Sequence, residues 1–152
     1  VIHGGLDLEL RKESIQFLSQ LEFDGHCLGG SLGQNRNDLF GLVEIIGGLL
    51  PPHQPRHLLG IGDLESIDFA VPQGFDSFDS AFPTRLGRHG HLLFFQPDGF
   101  SHDMITIKQE IHKTRFHDKI DPTCQCYTCL NYSVSYLHHL FKSNGFFFLF
   151  FF

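Results

Sequence analysis

Short apolar segments alternate with helix-like segments through the first part of the chain, and this alternation constrains the fold more than any other feature. Two of the apolar segments, 26–30 and 56–62, end in glycine, and another spans 75–80. At about 20 to 30 residues per unit, the pattern predicts parallel strands joined by helical crossovers, and therefore an α/β fold. A closed barrel and a doubly wound sheet are both built this way, and both hold ligands at the carboxyl ends of their strands.

The first predicted helix spans residues 6–21 and carries Leu8, Ile15 and Leu18 on one face. Its charged residues, Arg11 among them, are expected on the opposite face, in solvent.

Two further helices are predicted by their caps and their spacing. The first begins at Asn37 or Asp38 and repeats apolar residues at i, i+3, i+4 and i+7 up to Leu50. The second, 64–70, follows Asp63 as its N-cap.

After Pro83 the pattern changes. A polar, cationic loop is expected over 84–91, strands over 92–95 and 105–108, and a final helix over 132–142.

The charge balance excludes a broadly basic nucleic-acid coat, because 11 Lys and Arg stand against 17 Asp and Glu, a net charge of −6. The 152 residues are enough for one domain with its own core. No apolar run reaches the roughly 18 residues that would cross a bilayer, and no secretory leader is evident. The first residues, which lack Met, are interpreted as an interior strand, and the Phe-rich end as foreign to the fold.

Three of the four cysteines, Cys124, Cys126 and Cys129, have CxCxxC spacing. Thiolates so spaced can converge on one Zn²⁺, which takes four tetrahedral ligands. His138 or His139 is a candidate for the fourth ligand, and three reduced structural cysteines are the alternative. The fourth cysteine is remote, so a disulfide framework is not indicated and a reducing cytoplasm fits the chain better.

Two aspartates, Asp76 and Asp79, lie at i and i+3 on the predicted strand 75–80, so a regular strand points them to opposite faces. Asp79 is at the strand end, where barrels hold catalytic groups. It is either a turn or capping residue, or a nucleophile or general base.

A local cationic patch follows the aspartates on this acidic chain. It consists of Arg85, Arg88, His89 and His91. The patch is either a solvated loop or a phosphate contact, since Arg can grip phosphate with two hydrogen bonds.

Two segments together resemble a known family. Residues 74–85 are similar to the GxDxFDxxxPTR signature of the tRNA-guanine transglycosylases, also called queuine tRNA-ribosyltransferases, and 121–129 to their DPxCxCxxC segment. Segments 23–30, 57–62 and 136–140 also resemble this family. The resemblance covers about residues 1 to 144, in order.

The resemblance implies the later half of a (β/α)₈ TIM-type barrel with a zinc-binding subdomain. Residues 1–120 are then expected to supply strands five to eight, and 121–143 an incomplete zinc-binding subdomain. Residues 144–152 form a low-complexity, Phe-rich tail. The intact enzyme is expected to be a cytoplasmic homodimer that does not bind membranes.

The implied reaction replaces guanine at the tRNA wobble position with queuine or its 7-deazaguanine precursor. Asp79 would be the nucleophile that attacks the ribose anomeric carbon. Arg85 and Arg88 would hold the anticodon loop. His3, Gly29, Gly30, Leu59 and Gly60 would line the base site, and Cys124, Cys126 and Cys129 would bind Zn²⁺.

The chain departs from the family pattern in several places. His3 stands where the family usually has Gln, and an imidazole lacks the donor and acceptor pair of a carboxamide. The histidine that serves the family as fourth zinc ligand, some way beyond the final helix, and the family's DSGGFQ-type segment are absent from these 152 residues. We therefore expect a fragment with little exchange activity by itself; a non-catalytic RNA-binding or partner subunit and an inactive pseudogene product are the alternatives.

Overall fold

The computed structural model describes residues 1–96 and 102–143. The chain divides into two compact units, Val1–Ala81 and the part from Phe82 onward, which are described separately. The predicted Phe-rich tail, 144–152, lies outside the described residues.

The first unit alternates helices and strands, as the sequence pattern predicts. Its elements are α1 (Leu8–Leu18), β1 (His26–Leu28), α2 (Arg36–Leu49), β2 (Arg56–Leu58), α3 (Leu64–Ala70) and β3 (Ser77–Phe78). All three strands are parallel, in the order β1-β2-β3, and Ile2 joins β1 through a parallel bridge to Leu28. Neighbours in the chain are thus neighbours in the sheet.

Helices α2 and α3 each begin directly after a residue whose side chain caps the first turn. Asp63 caps α3 as predicted, because its carboxylate accepts a hydrogen bond from the Ser66 N–H at 3.1 Å. The prediction for α2 was wrong in position: Asn35 is the N-cap, and its side-chain oxygen accepts from the Asp38 N–H at 3.0 Å.

One prediction for α1 was wrong in a way that matters for the site. Arg11 lies in the protein interior with 0% of its surface exposed, not on the solvent face. The core around the sheet contains Ile2, Ile15, Leu28, Leu39, Val43, Ile46, Leu50, Leu58, Ala70 and Phe75.

The second unit has a different architecture. It contains α4 (Phe82–Arg88), β4 (His91–Phe95), β5 (His102–Thr106), α5 (Tyr127–Asn131) and α6 (Val134–Lys142). Strands β4 and β5 form an antiparallel pair, and Val134 and Leu137 of α6 pack in a core with Leu92 of β4. Within the described residues, no helix is long and apolar enough to span a membrane.

The sequence-based expectations for this unit need three corrections. The expected cationic loop is largely helix α4, which tolerates Pro83 because an N–H in the first turn of a helix has no intrahelical acceptor to lose. The predicted final helix, 132–142, is α6, which begins two residues later because Ser133 is its N-cap, and the short helix α5 before it was not predicted. The later strand occupies 102–106 instead of 105–108.

Candidate functional site

The carboxyl ends of the parallel strands gather the candidate residues of the first unit. Strand β1 leads into Gly29, β2 into Leu59 and Gly60, and β3 into Asp79. Because the strands are parallel and adjacent, these ends lie at one edge of the sheet. That edge is where α/β proteins hold their ligands.

Asp79 is held by two donors from the neighbouring strand β2 and the residues after it. Its Oδ1 lies 3.1 Å from the backbone N of Gly60 and 3.1 Å from Nε2 of His57. The hydrogen bond from Gly60, followed by that from His57, lowers the pKa of the Asp79 carboxyl below its ordinary value. The side chain is 60% exposed, so an ionised carboxylate is presented at the open edge of the sheet.

His57 is a functional candidate that the sequence analysis did not identify. Its Nδ1 lies 2.8 Å from Oγ of Ser77, which is its direct neighbour across the β2–β3 pair. An ionised carboxylate can only accept hydrogen bonds, so Nε2 is the donor in the contact with Asp79. The only signal in the sequence is a histidine inside an otherwise apolar segment.

Asp76 is bound elsewhere. Its Oδ2 accepts the backbone N–H of Arg56 at 2.8 Å, at the start of β2. The two aspartates of the 74–85 segment therefore have different environments, and of the two it is Asp79 that the structure brings to the strand ends.

The predicted base-site residues lie beside one another. A Cβ at Gly29 would lie 2.7 Å from Cδ1 of Leu59, and a Cβ at Gly30 would lie 2.9 Å from Nδ1 of His3. Gly30 also has a φ of +73°, which disfavours any other residue. The backbone of Gly29–Gly30 thus forms a thin wall between two side chains, and a larger residue there would push them apart.

Arg85 and Arg88 are exposed side chains in the last turn of α4. Their i, i+3 spacing places them on the same side of the helix. They form a pair of cationic groups suited to contact phosphates.

The three sulfur atoms of Cys124, Cys126 and Cys129 lie within 4.8 Å of one another. In the described part of the chain no fourth ligand joins this group, and the predicted substitute His138 is wrong: its Nδ1 bonds the Ile107 carbonyl at 2.7 Å within the core. His139 is exposed on α6 and also lies outside the group.

The local backbone prepares this cysteine group for a cation. The N–H of Cys129 points to the Cys126 sulfur at 3.5 Å and lowers the pKa of that thiol. Burial raises the pKa of the Cys129 thiol to about 12. A metal ion that displaced its proton would remove that penalty, and three soft sulfur donors suit Zn²⁺, so the donor set fits this ion.

These features define an α/β protein with a carboxylate-centred site at the ends of parallel strands, together with a cysteine group able to hold a metal ion. A family model described as queuine tRNA-ribosyltransferase matches residues 1–150. The chain belongs to this family, as its signature segments indicate.

Curated relatives agree with this family. A queuine tRNA-ribosyltransferase of Protochlamydia amoebophila is 45% identical over 144 residues, which are 95% of this chain and 35% of the relative. Those of Roseiflexus sp. and Chlamydia felis are 40% and 46% identical over 95% and 93% of this chain. The chain spans little more than a third of the length of these relatives, 35% to 37%.

Proposed function

We propose that this chain is the nucleophile-bearing part of a tRNA-guanine transglycosylase, which exchanges guanine at the tRNA wobble position for queuine or its 7-deazaguanine precursor. The observation that carries the proposal is the Asp79 carboxylate at the strand ends. Its Oδ1 is occupied by the Gly60 and His57 donors, and the exposed side chain offers Oδ2 for attack. Family membership supports the choice of this reaction.

The proposed chemistry is a double displacement at the ribose anomeric carbon. An Asp79 oxygen forms a bond to this carbon as the glycosidic bond breaks, and guanine leaves with the bonding electrons and takes up a proton. The ring nitrogen of the incoming 7-deazaguanine, after loss of its proton, then attacks the same carbon and releases the Asp79 carboxylate. A lowered Asp79 pKa keeps the nucleophile ionised before the first step.

The residues around Asp79 suit a flat heterocycle. Gly29 and Gly30 let the base approach the backbone, Leu59 covers it with an apolar side chain, and His3 lies beside Gly30. Arg85 and Arg88 would hold anticodon-loop phosphates, because a bent single-stranded loop needs local positive charge.

The fold and the metal form a second part of the proposal. Residues 1–120 would supply strands five to eight of a (β/α)₈ barrel, which the chain-ordered parallel strands support. Residues 121–143 would form the zinc-binding subdomain, in which Cys124, Cys126 and Cys129 hold Zn²⁺. The zinc would supply structural cross-linking, with its fourth ligand from outside the described residues.

Homodimerisation and a cytoplasmic location complete the proposal. Tyr132 stacks on Tyr136 with ring centroids 5.2 Å apart and meets Tyr127 edge-on, and Tyr127 and Tyr136 are 67% and 43% exposed. Exposed aromatic rings of this kind are typical of interfaces. Free thiols and a tRNA substrate favour the cytoplasm.

The nucleophile can be tested in a chimaera, in which the matching segment of the Protochlamydia amoebophila relative is exchanged for this chain. The assay measures incorporation of radioactive guanine into tRNA. We expect Asp79→Asn to lower exchange by about 10³-fold or more, because the amide cannot form the covalent intermediate. Asp76→Asn is the matched control and should stay within about tenfold, since the amide oxygen can still accept from Arg56.

Trapping of the covalent enzyme–tRNA adduct distinguishes a catalytic chain from a non-catalytic RNA-binding subunit. A denaturing gel should show an enzyme–tRNA adduct for the unsubstituted chimaera and for Asp76→Asn, and none for Asp79→Asn. Equal loss in both variants, or a folded chimaera without exchange, would contradict the proposal and favour a non-catalytic RNA-binding subunit. The isolated 152-residue chain should show little exchange, and a rate equal to that of the relative would contradict its being only part of the catalytic unit.

A further inference from the structure

Arg11 of α1 donates hydrogen bonds to four backbone carbonyls and lies completely buried. Its Nε bonds the Gly5 oxygen at 2.9 Å, and its Nη1 bonds the oxygens of Ile2 at 2.6 Å and Gly29 at 3.0 Å. Its Nη2 bonds the Ser31 oxygen at 2.8 Å. Its exposed fraction is 0%. The guanidinium therefore uses every nitrogen on main-chain oxygens of two strand ends.

These two strand ends carry the proposed base site. One runs from Ile2 through His3 to Gly5, and the other runs from Gly29 to Ser31. The strands are linked by the N–H of Ile2, which bonds the Cys27 oxygen at 2.8 Å, but beyond this point the Arg11 guanidinium bridges them. His3 and Gly30, which lie beside each other, are thus both flanked by carbonyls bound to Arg11.

The Arg11 side chain has room only because Gly4 is a glycine. A Cβ at Gly4 would lie 2.8 Å from the backbone N of Arg11 and 2.9 Å from its Cγ, and Gly4 has a φ of +146°. The close approach of the 2–5 segment to α1 is therefore built around this side chain.

Stability alone is a weak reason for a charge in this place. Burial opposes the charged form and lowers the pKa of Arg11, although arginine remains protonated in proteins. In the described residues Arg11 has no carboxylate partner. An apolar side chain would avoid this desolvation cost, but it could not orient four carbonyls, whereas the planar guanidinium directs five N–H groups in fixed directions.

The orientation of these carbonyls also fixes the direction of the backbone N–H groups that follow them in the chain. Peptide bonds here are trans, so a carbonyl and the N–H of the next residue point in opposite directions. Because the Gly29 and Ser31 oxygens point to Arg11, the N–H groups of Gly30 and Leu32 point away from it. Two main-chain donors are thus fixed in direction at the end of β1.

We propose that Arg11 is a positioning residue of the base site: it ties the 29–31 segment to the 2–5 segment so that the N–H groups of Gly30 and Leu32 meet the carbonyl edge of the purine-like base. This rests on the proposed function. Arg11 acts through the backbone and does not itself contact the base.

Arg56 provides a matched control. It is 6% exposed, and its guanidinium also bonds only carbonyls, those of Gly47, Leu50 and Gln73. These carbonyls lie at the end of α2 and after α3, away from the strand ends. Loss of either guanidinium leaves buried carbonyls unpaired, so both substitutions are expected to destabilise the fold to a similar degree.

The experiment compares Arg11→Met, Arg11→Lys and Arg56→Met in the chimaera. We expect Arg11→Met to raise the KM for free guanine at least tenfold with the KM for tRNA within twofold, and Arg11→Lys to give a smaller rise because one ammonium replaces the planar fork. Arg56→Met should lower the melting temperature by a similar amount and leave the KM for guanine within twofold.

The outcomes separate this inference from the proposed function. An active parent chimaera in which Arg11→Met and Arg56→Met change the KM for guanine equally would overturn the positioning role and leave the proposed function intact. Should Arg11→Met not fold, Arg11→Lys decides the matter, since an unchanged KM for guanine in that folded variant also overturns the role. A folded parent chimaera without exchange would overturn both.

Discussion

His57 Nε2 lies 3.1 Å from Oδ1 of Asp79 and joins two neighbouring parallel strands at their carboxyl ends. Ser77 holds the other nitrogen of the ring at 2.8 Å, so the donor is aimed at the carboxylate before any substrate arrives. The sequence motif contains Asp79, but its closest side-chain partner comes from the preceding strand.

Removal of the His57 donor should change the pH dependence of the reaction. The hydrogen bonds of Gly60 and His57 favour the ionised form of Asp79 and lower its pKa, so activity that needs the carboxylate persists toward acid. In His57→Phe we expect the acidic limb of kcat/KM for tRNA to move to higher pH. His57→Gln, which can keep one N–H donor, should restore part of the shift.

The control for this prediction is Ser77→Ala, which removes the contact to Nδ1 but leaves the donor to Asp79. In Ser77→Ala the acidic limb of kcat/KM for tRNA should lie closer to that of the parent than in His57→Phe. An identical profile for His57→Phe and the parent would show that the ring does not influence the Asp79 carboxylate.

We expect a substitution within the cysteine group to cause a selective loss of zinc. Cys126→Ser removes one of three clustered sulfurs, and the metal content of the purified protein, measured by atomic emission, should fall well below that of the parent. Cys27→Ser is the control, because Cys27 lies on β1, outside this group. Equal zinc content in both variants would mean that the metal is held elsewhere.

Arg85 and Arg88 are expected to act on tRNA binding through charge. For the double variant Arg85→Met/Arg88→Met, the slope of log affinity for tRNA against log salt should become shallower by about 0.7 for each phosphate that the arginines no longer neutralise. Arg115→Met is the control, since Arg115 is paired with Asp118 at 2.7 Å. A parallel salt dependence in the double variant and the parent would argue against phosphate binding by these two side chains.

Gly30→Ala tests the thin backbone wall of the base site. A residue with φ +73° costs about 1–2 kcal/mol when it is not glycine, and the new Cβ would also lie 2.9 Å from His3. The KM for guanine should rise. Gly90→Ala has similar backbone strain, with φ +78° and a Cβ that would lie 2.8 Å from the Phe141 ring, and Gly90 is not part of the proposed base site, so this variant should lose comparable stability by denaturant unfolding while its KM stays near the parent value. Similar KM values in both variants would contradict a role for Gly30 in base binding.

Local sequence was sufficient to predict the features that depend on residues close together in the chain. The structure confirms the α/β alternation, the Asp63 cap and the approach of the three cysteine sulfur atoms to one another. Caps and ligand groups of this kind depend on neighbours within one turn or one loop. The helix α4 was missed because Pro83 and Gly87 are helix breakers in isolation, whereas Pro83 lies in the first turn.

The burial of Arg11 was decided by the tertiary structure. It lies three residues after Leu8 and four before Ile15, which places it within the buried stripe of α1 by angle alone. Its charge favours solvent, and only the four carbonyls supplied by the 2–5 and 29–31 segments offset the cost of burial.

The sequence by itself determined the family and the parallel βα units, and it singled out Asp79 and three cysteines as candidates, since these depend on residue type and local spacing. The tertiary structure decided the partners of these residues. His57 reaches Asp79 across 22 residues, and Arg11 reaches Ser31 across 20. Such pairs depend on strand register and on helix docking against the sheet, which arise only when the core is packed.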